Sequence, residues 1–422
     1  MYRIKLKTAL LLLLPLAALL MALRPAPPDA WGFFGHRKIN RQAVFTLPPE
    51  MMVFFKKNID YLTEHAVDPD MRRYASKHEA PRHFLDLDRY GAPPFENLPR
   101  NWPDALMQYF QYYYVNERGD TLRLVTEPIT ERADSVSFNQ RLIKGASTGS
   151  NRVGVGRKEF RRFFNQNILP LYYEDGAWEV PCDSIASLLG GARLNCRTMF
   201  VVDTFSQHGV LPYNLEQMLK RLTDAFVAKD AKRILRHSAD IGHYIGDAHV
   251  PLHTSANYNG QLTGQDGLHA FWESRLPELY ADEKYDFWVG QAELIANPKD
   301  YFWNIVLTSN SLVDSVIGIE RSLRSQFPPD RQLCNEYRNN VFVKTQCEDF
   351  AAAYHDRMGG MVEARMQASI ISVGSAWYTA WVLAGQPDLS RLGEEAVALP
   401  DSTDLELRKA VQDGRQLGRP HD

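Results

Sequence analysis

Only four cysteines occur in the 422 residues, at positions 182, 196, 334 and 347. None forms a C-x-x-C pair, which argues against a cysteine zinc knuckle or a thioredoxin-type redox motif. The chain also lacks an excess of positive charge. Without residues 1–30, which hold four basic residues (Arg3, Lys5, Lys7, Arg24) and Asp29, 44 basic residues face 50 acidic ones, a net charge of −6. That balance gives no long-range field for capturing nucleic acid or an anionic membrane. Recognition of a phosphate must then be local, with metal ions as one source of the missing positive charge. No Ser/Gly-rich linker and no internal repeat divides the chain. The absence of G-x-S-x-G argues against a serine esterase. Sustained period-two alternation is scarce, with "LRLVTEPIT" (122–130) the best short strand.

What is present begins with "MYRIKLKTALLLLLPLAALLMALRPAPPDAWG". Three basic residues, a 15-residue apolar run from Ala9 to Leu23 and a small residue at Ala30 read as a secretory signal spanning 1–30. The run is short of the roughly 20 residues that a membrane span needs. An uncleaved anchor is the alternative, because Pro28 is a poor residue near such a cut. The expected location is therefore periplasmic or secreted, where disulfides persist. Of the three pairings that four cysteines allow, the two local ones, Cys182–Cys196 and Cys334–Cys347, are expected; free buried thiols are the alternative.

Helical periodicity dominates the rest. "NLEQMLKRLTDAFVAKD" carries Leu215, Met218, Leu219, Leu222 and Phe226 on one stripe, with Asn214 in the N-cap position. The stretch from Asp349 to Ala384 reads as a long apolar helix stopped by Gly385, and 295–325 looks similar. The expectation is an all-α fold, one compact multi-helix domain over 31–385. Residues 115–203, less periodic and rich in Gly and Arg, would be an irregular insertion, and 386–422 a polar, loosely attached tail.

The chemistry concentrates in "GHYIGDAHVPLHT" (242–254). His243 and Asp247 lie four apart on one helical face, and His253 follows Pro251, where the helix should end. His249 points elsewhere. "DGLHAFWES" adds His269 and Glu273, again four apart, which gives H-x3-D-x5-H-x15-H-x3-E. "EHAVDPDMRRYASKHEAPRHFLDLD" offers Asp68 and His83, and "WGFFGH" offers His36. Imidazole and carboxylate are usual zinc donors. Polar residues satisfied within a helical core are the bland alternative for any one of them.

In this order the pieces resemble a superfamily of three-zinc phosphodiesterases, which unites secreted single-strand nucleases with bacterial zinc-dependent phospholipase C. The matching residues are Trp31, His36, Asp68, His83-Phe84, His243/Asp247/His253 and His269/Glu273. The resemblance implies a tri-zinc cleft. Asp68, His83, His243 and Asp247 would hold one ion. Trp31 (through its free amino group and carbonyl), His36 and Asp247 would hold a second, with Asp247 bridging. His253, His269 and Glu273 would hold the third. It further implies in-line hydrolysis by a zinc-activated water, with Asp68 beside that water as catalytic proton acceptor.

The substrate branch stays open. "WGFFGH" and "LHAFW" resemble the nucleases, whereas the final Glu273 resembles the phospholipases and the "GGN" run of many nucleases is missing. In the nucleases, Phe84 would stack on a base and Asp86 would bond its edge, stacking being worth about 1–3 kcal/mol. Single-stranded nucleic acid or a nucleotide, a phospholipid headgroup, or no substrate at all in a zinc-holding scaffold are the three alternatives.

Overall fold

In the computed structural model the described residues are 33–145, 153–174, 176–338, 341–392, 402–414, 417 and 419. The expected signal segment, its cleavage point and Trp31 lie outside them. The helices of the described residues include α1 (Phe33–Ala43), α2 (Asp68–Arg72), α3 (Leu211–Val227), α4 (Ala231–His249), α5 (Pro298–Asn310), α6 (Val313–Arg324), α7 (Glu348–Arg357), α8 (Met361–Leu383) and α9 (Ser402–Asp413).

Helix α4 is the axis of the bundle. Asp230 caps it by accepting from the Arg233 N–H at 3.1 Å. It ends at His249, because the approach to Pro251 cannot continue an α-helix. Helices α1, α3 and α8 pack around it. The α3 stripe of Leu215, Met218, Leu219, Leu222 and Phe226 is buried as its spacing requires. From α8, fully buried Trp377 donates its indole N–H to the Ser238 carbonyl at 3.0 Å. Truncating a ring in such a position costs about 3–5 kcal/mol.

Close approach of α1 to α4 depends on two glycines one turn apart. A Cβ at Gly242 would stand 2.0 Å from Asn40 Oδ1, and one at Gly246 would stand 2.8 Å from His36 Nδ1. The gap lets Asn40 Nδ2 donate to the Ala239 carbonyl at 3.1 Å. It also brings the His36 ring to 3.9 Å from the His243 ring, stacked.

The all-α expectation is overturned. Among the described residues, eight strands form three antiparallel sheets beside the helices, so the fold is mostly helical but mixed. Five of the strands lie where an irregular insertion was expected, and a sixth runs up to its start. Strands β1 (Gln111–Val115), β2 (Thr121–Arg123), β5 (Trp178–Val180) and β6 (Thr198–Val202) make one sheet in the order β2-β1-β6-β5, and β3 (Ser135–Phe138) pairs with β4 (Val153–Gly156). In β1 and β6 burial alternates, with Tyr112, Tyr114, Met199 and Val201 inward. Five residues, four of them aromatic or β-branched, suffice for such a strand but are too few to establish a period. The hairpin of β7 (Leu333–Arg338) and β8 (Val341–Gln346) is the third sheet.

Both expected disulfides are present, Cys182–Cys196 and Cys334–Cys347. Each closes a short loop, for which the chain-entropy model gives about 3 kcal/mol. The supposed single helix from Asp349 to Ala384 is two, α7 and α8, broken at Gly359 and Gly360, whose φ values of 58° and 82° leave the right-handed region. Asn214 is not a cap: α3 starts earlier, at Leu211, with Pro212 in its first turn. The tail is also not loose throughout. Helix α9 packs on α2 with Leu407 buried, and Leu417 donates its N–H to the Arg73 carbonyl at 2.8 Å.

Candidate metal centre

Five elements bring the donor atoms together: α1, the 3₁₀ turn Ala80–His83, α4, the 3₁₀ turn Pro251–Thr254, and the helical run from Leu268 that contains a π-turn over Phe271–Arg275. His36, His83, His243, Asp247, His253, His269 and Glu273 are all buried at this point. Their atoms fall into groups whose members lie within 4.8 Å of one another.

In the first group, His83 Nδ1 lies 2.9 Å and His243 Nε2 3.3 Å from Asp247 Oδ2, and the two nitrogens are 3.1 Å apart. In the second, His269 Nε2 lies 2.5 Å and His253 Nε2 3.2 Å from Glu273 Oε2, with the nitrogens again 3.1 Å apart. The third joins them: His36 Nε2 is 3.4 Å from Asp247 Oδ1 and 3.2 Å from Glu273 Oε1. Each of these two carboxylates thus turns one oxygen to its own pair of imidazoles and the other to His36.

The outer hydrogen bonds fix which nitrogen faces inward. His243 Nδ1 sits 2.8 Å from the Ala66 carbonyl and His253 Nδ1 2.5 Å from the His83 carbonyl. A carbonyl only accepts, so Nδ1 carries the proton in both rings, and the Nε2 lone pairs point into the cluster. Lone pairs converging on carboxylate oxygens need a cation or extra protons between them. His36 Nδ1 and Nε2, Asp247 Oδ1 and Glu273 Oε1 are buried without a hydrogen-bond partner, which fits atoms reserved for a metal. These groups can hold metal ions.

The same crowding splits the carboxylates electrostatically. Burial pushes Asp247 up to about 7 against the pull of His253 and His36. Burial acts on Glu273 in the same sense, but the facing His269 and His253 rings hold it well below the usual carboxylate range. His249 stays out of the cluster. Its Nδ1 bonds the Ile245 carbonyl at 2.8 Å, and burial beside Arg365 pushes it down to about 3, so it is a neutral core residue.

Asp68, expected as ligand and proton acceptor, stands apart. Its Oδ2 is 2.7 Å from His65 Nδ1, and it joins none of the donor groups. Asp70 takes the place expected for it, with Oδ1 3.7 Å from both His83 Nδ1 and His243 Nε2 and within the group formed by His36 and His243. The two aspartates of "DPD" differ only in which side of the short helix α2 they occupy, and the sequence carries no signal for that.

Phe84 and Asp86 lie beside the second group. After the 3₁₀ turn that ends at His83, residues 84–86 run between the turn at His208–Gly209 and the turn at His253: Leu85 N–H donates to the His253 carbonyl and Asp86 N–H to the His208 carbonyl. Side chains therefore alternate, with Phe84 and Asp86 on one side. Tyr258, which the sequence reading missed, faces His269 edge-on at 5.9 Å. Comparison with protein-family models and with curated proteins finds no match.

Proposed function

We propose that the protein is an exported zinc-dependent hydrolase of phosphodiester bonds, of the kind found in the single-strand nuclease and phospholipase C superfamily, with single-stranded nucleic acid the favoured substrate. One observation carries this reading: Asp247 and Glu273 each divide their two oxygens between adjacent donor groups, an arrangement suited to closely spaced cations. Imidazole with carboxylate and no thiolate suits zinc. Bound there, zinc would supply a water of pKa lowered to about 7 and positive charge at the phosphoryl oxygens.

The chain's own residues set the rest. Asp70, Asp247 and Glu273 give three negative charges, and the five histidines, when neutral, add none. Three divalent ions would leave a positive surplus in an otherwise acidic chain, the local phosphate recognition that the overall charge cannot provide. Trp31, two residues before α1, would complete the His36 group through an amino terminus created by cleavage after Ala30. The two disulfides are compatible with export. Phe84 and Tyr258 offer ring faces and Asp86 an acceptor, which suits an unpaired base; the same rings and carboxylate would also suit a choline cation. The phospholipase reading rests on Glu273 as the last ligand.

Mature protein should carry close to three zinc ions, start at Trp31 by intact mass, and cleave single-stranded DNA or RNA faster than duplex. Chelation should abolish turnover. Rapid diacylglycerol release from phosphatidylcholine with polynucleotide left intact would move the assignment to phospholipase C. With all zinc bound, no turnover on any of these esters would sink the hydrolase reading.

A further inference from the structure

We propose that the C-terminal segment is an internal ligand of this cleft, in which Arg419 fills a slot built for a planar group edged with N–H donors. The Arg419 guanidinium lies 4.0 Å from the Phe84 ring centroid and 3.6 Å from that of Tyr258, within cation–π range of both rings. Its Nη1 donates to Asp86 Oδ1 at 2.6 Å and its Nη2 to the Ser255 carbonyl at 3.1 Å. Two ring faces, one carboxylate and one carbonyl thus satisfy a flat cation from its faces and its edge.

The backbone is fastened as well. Buried Arg73 donates from Nη2 to the Arg419 carbonyl at 2.5 Å, and its own carbonyl accepts the Leu417 N–H at 2.8 Å. Arg73 Nη1 also reaches to 3.7 Å of Asp70 Oδ1, so one side chain links the tail to an aspartate of the donor cluster. Phe84 is only 4 % exposed with Arg419 in place. Any other group that stacks on this ring must first displace the guanidinium. The tail is then a competitor carried by the chain itself, held by contacts that a stronger ligand can replace one for one.

The docking does not depend on what the enzyme hydrolyses; only its effect on turnover rests on the phosphodiesterase reading. The test uses the full chain. In the wild type, hydrogen exchange of the Leu417 amide should be slowed at least tenfold relative to Arg419→Ala and to Asp86→Asn. Arg419→Ala should bind methylguanidinium at millimolar concentration by calorimetry, whereas the wild type and the Arg419→Ala/Asp86→Asn double variant should not. On a single-stranded oligonucleotide, Arg419→Ala should lower KM several-fold, with kcat/KM on a small aryl phosphodiester unchanged. Methylguanidinium should restore the higher KM. Equal exchange in the wild type and Arg419→Ala, or no uptake of methylguanidinium, would overturn the slot. An unchanged KM on a cleaved oligonucleotide would overturn the competition. Protected Leu417 with methylguanidinium binding but no hydrolysis of any ester would uphold the internal ligand and discard the phosphodiesterase reading.

Discussion

Replacing Asp247 by Asn separates a metal-bridging carboxylate from a merely structural one. The substitution keeps shape but removes the charge, and an amide has one oxygen to offer where the carboxylate has two. The other position becomes an N–H₂ donor, and whichever group it faces loses its ligand. Asp247 Oδ1 and Glu273 Oε1 lie within 4.8 Å of each other in the group they form with His36. At an effective dielectric constant of about 20, two full charges at that distance repel by about 3.5 kcal/mol. Bound cations offset this repulsion; chelation exposes it. At pH 8, above the value near 7 to which burial pushes Asp247, the chelated wild type should carry most of the strain. Asp247→Asn should then be as stable as the chelated wild type or more stable, by up to about 3 kcal/mol in urea unfolding. With zinc the order should invert, because binding at 1,000 times Kd contributes about 4 kcal/mol per site, and the variant should lose more than one ion by elemental analysis. A comparable stability loss with and without chelator would refute the reasoning, as would loss of a single ion.

Two further outcomes follow from the same geometry. His253→Ala should remove chiefly one ion, since His253 serves the group with His269 and Glu273, while His249→Ala should retain all of them because that ring bonds Ile245; elemental analysis of both variants decides. Glu216, lifted by burial to about 7, is protonated more readily folded than unfolded, so its contribution is present at low pH and lost as pH rises from about 4.5 to 7. Glu216→Gln should be neutral at pH 4 and stabilise by about 1 kcal/mol at pH 8, a figure discounted because the side chain is partly exposed; an equal effect at both pH values would contradict the assignment.

The clustered imidazoles and carboxylates on α4 and on the run from Leu268, which could hold a metal, were legible because i, i+4 spacing fixes a helical face whatever surrounds it. The α3 stripe was legible for the same reason. Asp70 was not, since the choice between it and Asp68 depends on how a five-residue helix is docked. The strands were hidden by their length. Three to six residues of Tyr, Phe and Val become a sheet through partners distant in sequence, β1 with β6 across more than eighty residues. Arg419 was the least visible. Nothing in "GRQLGRPHD" distinguishes it from a solvated tail until Phe84, Tyr258 and Asp86 are placed around it. Period can locate a face, but what covers that face is a long-range contact.

One four-residue stretch, His83 to Asp86, serves both the metal groups and the slot, and its placement depends on Gly209. At φ 91° Gly209 occupies a region that side chains rarely enter, and Leu85 pairs with it across an isolated bridge. A Cβ there would stand 2.0 Å from the Phe84 carbonyl oxygen and 2.7 Å from its ring. Gly209→Ala therefore adds a conformational cost of about 1–3 kcal/mol to a clash that only movement of the Phe84 segment relieves. His83 and Asp86 lie on that same segment, so the variant should weaken zinc at the Asp70/His83/His243/Asp247 group and release the tail together. Phe84→Ala leaves the backbone where it is, so it should loosen Arg419 and keep the full complement of zinc. Elemental analysis and Leu417 exchange on both variants give the comparison. If Gly209→Ala keeps all its zinc and a protected Leu417, the extended segment is not what couples the two sites.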